Sequence, residues 1–254
     1  MSLSGKVAII TGGGTGIGFG IAQVLAGKGT TLAIAQPSME QARKAVDRLK
    51  GTEALPLIVD LGDRNSIARM VEATAARFSR IDILVNNASI TGMPAIAPFL
   101  DCPPAKVDQI VDVNLKGTFY CSQLVARQMV AAGQGGSIVH IASVGAYAAQ
   151  EFASLYCATK AAQVSFAKSM ALELAPYKIR VNCVAPGDIY NEANATITED
   201  KGSVGASGRY TRVTPLGRRG TPQDIGNAVA YLVSDEASFV TGATFQVDGG
   251  FLAY

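Results

Sequence analysis

A tyrosine and a lysine stand four residues apart at Tyr156 and Lys160, and Ser143 precedes the tyrosine by thirteen residues. Tyr156 and Lys160 fall in a stretch of helical periodicity, so both side chains are expected on one helix face. A phenol with its ordinary pKa near ~10 transfers protons poorly at neutral pH, and a neighbouring ammonium lowers that pKa. A serine hydroxyl can donate a hydrogen bond to a substrate oxygen that gains charge. These residue types suit proton transfer at a carbonyl, although a Tyr–Lys pair alone is common on surface helices.

The segment TGGGTGIG, from Thr11 to Gly18, contains five glycines directly after an apolar run. A glycine-rich turn after the first strand of a doubly wound sheet brings backbone N–H groups and a helix N-terminus close to a pyrophosphate. The common spacing G-x-G-x-x-G fails here because Ile17 occupies the last position. The spacing that fits is Thr11-Gly12-x-x-x-Gly16-Ile17-Gly18, which predicts a dinucleotide site, with a purely structural turn as the alternative.

Short apolar runs rich in β-branched residues alternate with longer stretches of helical periodicity. Strands are predicted at Val7–Thr11, Thr31–Ala35, Leu55–Val59, Ile81–Val85, Ser137–Ala142, Arg180–Val184 and Thr244–Val247. Helices are predicted at Ile17–Lys28, Ser38–Lys50, Asn65–Phe78, Pro104–Ala132, Ser154–Ala175 and Pro222–Val233. This alternation predicts an α/β fold of Rossmann type, a doubly wound parallel sheet of about seven strands with helices on both faces. We expect one domain over residues 1–254, with a polar substrate loop near 188–212.

Further motifs follow the glycine turn in a fixed order. They are NNA at 86–88, Asn114 in DVNLKG, Ser143 in HIASVGA, YCATK at 156–160, APG at 185–187 and VTGATFQVDGG near the end. In this order and spacing they resemble the short-chain dehydrogenases/reductases, and the resemblance covers essentially the whole chain. It implies an NAD(P)-dependent enzyme that interconverts a secondary alcohol and a ketone by hydride transfer.

The resemblance also implies roles for single residues. Tyr156 is the general acid/base, and Lys160 lowers its pKa and holds the nicotinamide ribose. Ser143 orients the carbonyl, and Asn114 supports a chain of water molecules that relays protons from Lys160. The expected cofactor-binding residues are Gly12, Thr15, Gly16, Ile17, Gly18, Gln36, Asp60, Leu61, Asn86, Ala88, Tyr156, Lys160, Pro186, Gly187 and Ile189. No metal is expected.

The choice between NAD and NADP depends on the residue that ends the second strand, which faces the adenine ribose. An acid there favours NAD, and a nearby Arg or Lys accepts the 2′-phosphate of NADP. Gln36 occupies this place, and Thr15 stands where some NADP-using relatives carry a base. Arg43 and Lys44 on the next helix reach the site only if that helix is turned favourably. Because an unpaired phosphate dianion is costly to desolvate, we expect a modest preference for NAD with measurable use of NADP.

The motifs leave the substrate open. Val144, Tyr147, Tyr190 and the loop near 188–212 are candidates to line its pocket, and their apolar and aromatic character suggests a small apolar ketone. Two other function classes stay open: a dehalogenase-type lyase on the same fold, and a non-catalytic cofactor sensor or scaffold. Such lyases lose the glycine motif and the lysine, and such sensors lose a catalytic residue, whereas this chain keeps both sets.

Composition disfavours several other classes. The 254 residues are 48% hydrophobic and 17% charged, enough for a large core, and the net charge of +2 is dispersed, so we expect no nucleic-acid or membrane partner. The four cysteines are widely spaced, and the single histidine, His140, is interpreted as structural. Neither a signal sequence nor a membrane-length apolar run is recognisable, so we expect a cytoplasmic protein. The resemblance implies a homotetramer joined through the helices at 104–132 and 154–175 and the C-terminal segment.

Overall fold

A computed structural model describes residues 2–190 and 214–253. Seven parallel strands form one sheet in the order β3-β2-β1-β4-β5-β6-β7. Their bounds are β1 Val7–Thr11, β2 Thr31–Gln36, β3 Ala54–Ile58, β4 Ile83–Asn86, β5 Gly136–Ile141, β6 Ile179–Pro186 and β7 Thr244–Val247. Each lies within two residues of its predicted bounds, and the predicted Rossmann-type sheet is confirmed.

The α-helices that connect the strands are α1 Gly16–Ala26, α2 Met39–Arg48, α3 Arg64–Phe78, α4 Pro104–Ile110, α5 Thr118–Ala132, α6 Ser154–Leu174 and α7 Pro222–Val233. A π-helical turn, Val111–Gly117, joins α4 to α5, so the helix predicted over 104–132 has a widened middle. Three-residue 3-10 helices lie at Met93–Ala95, Val144–Ala146, Ala175–Tyr177 and Asp235–Ala237. Across residues 2–190 and 214–253, no helix has the length and apolarity to cross a membrane.

Neighbouring residues of the central strands point to opposite faces of the sheet. Ile10 packs in a cluster with α1, α2 and α7, while Ile9 packs in a second cluster with α3, α5 and α6. Because both faces are covered, the strands are apolar at nearly every position rather than at every second one.

The strand order reverses at β1, which pairs with β2 on one side and with β4 on the other. In open parallel sheets, ligands bind in the crevice outside the carboxyl ends of the strands at such a reversal. The glycine-rich segment leaves β1 at this point, and the NNA motif starts on the last residue of β4. Sheet topology therefore brings both motifs to one edge.

Candidate active site

A cleft of about 970 Å³ opens at this edge of the sheet. Fifteen of the predicted site residues line it: Gly12, Thr15, Gly16, Ile17, Gly18, Gln36, Asp60, Leu61, Ala88, Ser143, Tyr156, Lys160, Pro186, Gly187 and Ile189. Two predicted residues, Asn86 and Asn114, are instead buried behind the cleft wall. We call residues 12–18 with Gln36 the cofactor side, and Ser143, Tyr156 and Lys160 the catalytic side.

The turn on the cofactor side is held against the end of β4. Thr11 Oγ1 accepts hydrogen bonds from the N–H groups of Asn87 and Ala88 at 3.0 and 3.1 Å. The Asn87 amide in turn donates to the carbonyls of Thr11 and Gly12 at 3.0 and 3.2 Å. A β-carbon at Gly18 would lie 2.1 Å from the Gly12 carbonyl oxygen. Glycine at position 18 is therefore required by packing within the turn itself.

The N-terminus of α1 has no side-chain cap, as is also the case for α4, α5 and α6. Ser38, Asp63 and Thr221 cap α2, α3 and α7 by accepting a backbone N–H bond with their side chains. Thr15, which precedes α1, makes no such side-chain bond. The first-turn N–H groups of α1 thus remain available to an anion in the cleft, and the helix dipole favours negative charge there.

Gln36 ends β2 and lies against the glycine turn. Its side chain is buried, and its Nε2 has no hydrogen-bond partner within the described ranges of the chain. Such an amide suits a ligand hydroxyl, because an unpaired buried donor is costly. A nearby cation, Arg48, also lines the cleft, with its guanidinium 3.9 Å from the centroid of the Phe19 ring. Arg43 and Lys44, on the second turn of α2, do not line the cleft.

On the catalytic side, Ser143 follows β5 and begins a 3-10 turn. Its Oγ accepts from the Gly145 N–H at 3.0 Å, which leaves the hydroxyl proton for another acceptor. Tyr156 lines the cleft together with Ser143 and Thr91. Burial raises the pKa of Tyr156, and the polar side chains of Ser143 and Thr91 partly oppose the rise. The expected lowering of the Tyr156 pKa is therefore not produced by the groups of the described chain.

Lys160 is almost fully buried, with its Nζ 5.7 Å from the centroid of the Tyr156 ring. Its Nζ donates to the carbonyl of Ile141 at 2.8 Å. Burial lowers the pKa of Lys160 to about 7, and the Cys183 thiol opposes this shift slightly. Burial therefore disfavours the charged form of the Lys160 side chain.

Asn114 lies in the π-helical turn and acts on a loop rather than on the cleft. Its Oδ1 accepts from the Ile90 N–H at 2.7 Å, and its Nδ2 donates to the Ile90 carbonyl at 3.0 Å. Asn86 points the other way from Asn87, and its amide lies 3.0 Å from Ser122 Oγ and 3.1 Å from His140 Nδ1. Both asparagines therefore support the site from behind.

The substrate end of the cleft is partly described. Tyr190 lines it, while Val144 is buried elsewhere and Tyr147 is exposed outside it. The chain leaves this region through an isolated bridge between Ile189 and Gly220, beside a two-pronged ion pair of Arg219 with Asp188 at 2.9 and 2.8 Å. Most of the predicted substrate loop, residues 191–212, lies outside the described residues.

Sequence reasoning missed several residues that contribute to the cleft. Asn87 sits inside the quoted NNA motif, so its type was visible but its direction was not. Thr91, Phe19 and Arg48 carry no motif signal in a single sequence. Arg48 stands twelve residues after Gln36, at the last position of α2, and its side chain lines the cleft.

Comparisons with known proteins identify the family to which this fold belongs. The family model described as Enoyl-(Acyl carrier protein) reductase matches residues 12–252. The sorbitol dehydrogenase of Cereibacter sphaeroides is 35% identical over 98% of both chains, and the 3-oxoacyl-(acyl-carrier-protein) reductase of Escherichia coli is 36% identical over 98% of both. The solved 3-ketoacyl-(acyl-carrier-protein) reductase of Brucella melitensis, complexed with NADH, has a TM-score of 0.88 at 33% identity, covering 98% of this chain and 99% of that one. The chain therefore belongs to the short-chain dehydrogenase/reductase family and is one of its oxidoreductases.

Proposed function

We propose that the protein interconverts a small secondary alcohol and its ketone with a nicotinamide cofactor. The observation that carries the proposal is the position of Ser143, Tyr156 and Lys160 across one cleft from the uncapped glycine turn. The printed activities of the relatives, which include sorbitol dehydrogenase and galactitol 2-dehydrogenase, support this reaction class.

In this proposal Tyr156 donates a proton to the carbonyl oxygen during reduction and accepts it during oxidation. Ser143 donates a hydrogen bond to the same oxygen as it gains charge. Lys160 holds its proton close to Tyr156 and contributes positive charge below its pKa of about 7. Asn114 keeps the Ile90 loop, and hence the neighbouring Thr91, in place beside Tyr156.

The cofactor side fits a dinucleotide on the chemistry of its own groups. The free N–H groups of α1 suit a pyrophosphate, and the unpaired amide of Gln36 suits a ribose hydroxyl. Asp60 and Leu61 after β3, and Ala88 after β4, would enclose the adenine ribose end. When bound there, a nicotinamide cofactor supplies or accepts the hydride.

We propose a modest preference for NAD over NADP. Gln36 supports NAD, because a neutral amide matches a hydroxyl better than a phosphate dianion. Arg48 works against a strong preference, since it brings one exposed cation to the cleft. The test is kcat/KM for NADH and NADPH with one ketone at fixed salt. A preference for NADPH above about tenfold would contradict the proposal.

The substrate is proposed to be a small ketone, and two chemical types compete. Val113, Ile189 and Tyr190 favour an apolar ketone, whereas Ser89, Thr91 and Gln109 in the same cleft favour a hydroxylated one. A panel of aryl ketones and ketoses, followed by nicotinamide absorbance, separates them. Cofactor binding without turnover of any member would instead favour a sensor or scaffold, and release of halide from a halohydrin would favour a lyase.

We also propose a homotetramer. Phe119 on α5 is half exposed and meets Phe166 on α6 edge-to-face, and Leu172 further along α6 is largely exposed. Exposed apolar residues on two long neighbouring helices are typical of a subunit contact. Light scattering at micromolar concentration tests this, and a mass near the 26.3 kDa of one chain would contradict it.

Two further expectations remain proposals. We propose that residues 1–254 form one catalytic unit, because strands from both ends of the chain line up in one sheet. We propose the cytoplasm as its compartment, supported by the four cysteines, which are all free thiols. Limited proteolysis and fractionation of the source cells test the two proposals separately.

A further inference from the structure

Behind the catalytic side lies Gln163, a buried side chain that belongs to no motif. It stands three residues after Lys160 in α6, so the two residues share a helix face. Gln163 is 1% exposed. Its Oε1 accepts from Lys160 Nζ at 3.4 Å, and its Nε2 donates to the main-chain carbonyl of Asn114 at 2.7 Å. One carboxamide thus connects the lysine to the π-helical turn.

The orientation of this amide is fixed by its neighbours. A flipped amide would place its NH₂ group against the Lys160 ammonium and its oxygen against the Asn114 carbonyl, and both contacts are repulsive. The Gln163 Nε2 also lies 3.2 Å from Thr118 Oγ1, which itself donates to the Asn114 carbonyl at 2.8 Å. The oxygen of Gln163 is therefore held toward the lysine.

We propose that Gln163 is a positioning residue whose carboxamide takes the place of exchangeable water as the link between Lys160 and Asn114. The proposal rests on the proposed function, in which Lys160 assists proton transfer at Tyr156. Water and hydroxyl groups pass protons because they both gain and lose them readily. A carboxamide nitrogen does not give up its proton near neutral pH, so Gln163 holds the ammonium without relaying its proton. Protons at Lys160 then exchange toward the cleft.

The groups that face Lys160 from the surrounding elements make this proposal testable. Among the described residues these are His140 on β5, Cys183 on β6 and Tyr156 on the same helix. Burial lowers the pKa of His140 to about 3 and raises that of Cys183 to about 12, and it also raises that of Tyr156. All three are neutral near pH 7, so a change of charge at position 163 acts on Lys160 without a competing titration.

The direct test measures the pKa of Lys160 by NMR of the full-length protein labelled with ¹³C at lysine Cε. The signal is assigned by its loss in Lys160→Met. Gln163→Leu removes the acceptor and is expected to lower the pKa, whereas Gln163→Glu places a carboxylate beside the ammonium and is expected to raise it by about one unit. The wild-type value lies between them. Equal values in all three proteins, or shifts of the same sign in both variants, would overturn the proposal.

Ser122→Ala is the matched control. Ser122 is as buried as Gln163. Its hydroxyl donates to the Thr118 carbonyl at 2.7 Å and accepts from the Asn86 amide at 3.0 Å, and neither bond involves Lys160. This variant is expected to lose stability and to keep the wild-type pKa of Lys160. A Lys160 shift in Ser122→Ala equal to that in Gln163→Leu would assign the effect to general loosening and overturn the proposal. Gln163→Met, which keeps the side-chain length, replaces the leucine variant if that one fails to fold.

Activity supplies a second readout. With a ketone that the enzyme reduces, the pKa seen in the pH profile of kcat/KM is expected to rise from Gln163→Leu through wild type to Gln163→Glu. Gln163→Leu is also expected to lose about tenfold in kcat with little change in KM. A profile that stays fixed while the NMR pKa moves would overturn the catalytic part of the proposal. If no protein turns over any ketone but the NMR order holds, the proposed function fails and the contact between Gln163 and Lys160 stands.

Discussion

On the cofactor side of the cleft, the surface that faces a ligand is mainly backbone, whereas on the catalytic side it consists of side-chain atoms. The glycine turn is shaped by close backbone contacts, with Asn87 and Thr11 holding it to β4. Ser143 is instead held by the Gly145 N–H, and Lys160 by the Ile141 carbonyl and the buried Gln163 side chain. We expect substitutions on the cofactor side to act through shape and binding, and those on the catalytic side to act through reaction rate.

Tyr156→Phe gives the sharpest separation of the two sides. The ring keeps its packing, and only the hydroxyl is lost from a residue that lines the cleft with Ser143 and Thr91. We expect kcat to fall by about 10² to 10⁴-fold, the range of general acid–base catalysis, with NADH binding nearly unchanged. Steady-state kinetics and fluorescence titration measure the two effects. Retention of more than a few per cent of the wild-type rate would show that Tyr156 is not the acid/base.

Gly18→Ala tests the cofactor side by shape. The added β-carbon would meet the Gly12 carbonyl oxygen at 2.1 Å, so the backbone of the turn must move. We expect the Kd for NADH to rise by more than about tenfold. Gly27→Ala, just past the other end of α1, is the control, because its β-carbon would meet no atom closer than 3.4 Å. Equal effects of the two substitutions would show that turn shape does not govern binding.

Arg48→Leu tests whether a single charged side chain near the cofactor side affects the choice between NAD and NADP. Arg48 is exposed and stacked on Phe19, so its attraction for a 2′-phosphate is screened. We expect kcat/KM with NADPH to fall by about threefold and that with NADH to stay within twofold. Arg43→Leu on the same helix, outside the cleft, is expected to change neither. A loss with both cofactors would point to loosened packing around α1 rather than to charge.

Asp224→Asn is expected to have the smallest effect of these substitutions. Asp224 belongs to neither the cofactor side nor the catalytic side. Asp224 caps α7 together with Thr221 and pairs with Arg218, and these contacts lower its pKa to about 2. Because the folded-state pKa lies below the unfolded value, this stabilisation is present above about pH 4 and is lost as the pH falls toward 2. The carboxylate is 32% exposed. Allowing for screening, we expect a loss of about 1 kcal/mol in unfolding free energy near neutral pH.

Chemical denaturation of wild type and Asp224→Asn between about pH 7 and pH 3 measures this loss. The difference should shrink as the pH falls, while kcat at neutral pH stays close to wild type. A difference that is independent of pH would show that the ion pair contributes nothing beyond packing.

Sequence was sufficient for the strands and for the edge of the sheet where the motifs meet. Apolar runs such as Val7–Thr11 are short, β-branched and followed by glycine or polar residues, so their type and ends are locally encoded. The doubly wound parallel sheet then follows from right-handed crossovers between such elements, while the order of its seven strands is read from the structure. The sequence motifs could be placed along one edge of the sheet because they follow the carboxyl ends of parallel strands.

Sequence was insufficient to predict the direction in which a side chain points and the extent to which it is buried. Asn86 and Asn87 are chemically identical, and only strand pleat directs Asn86 toward His140 and Asn87 toward the glycine turn. The pKa of Tyr156 depends on how completely the fold buries it, which no local pattern contains. The π-helical turn at Asn114 was also invisible, because its residues fit an ordinary helix.

The bridge between Ile189 and Gly220, with the Arg219–Asp188 ion pair beside it, holds positions 189 and 220 next to each other. The entropy of closing a loop grows only slowly with its length once the ends are fixed. Insertions, deletions or whole exchanges between positions 191 and 213 are therefore expected to leave the sheet and the catalytic side intact. Selectivity for new alcohols could therefore evolve or be engineered by changing positions 191 to 213, with the sheet and the catalytic side kept.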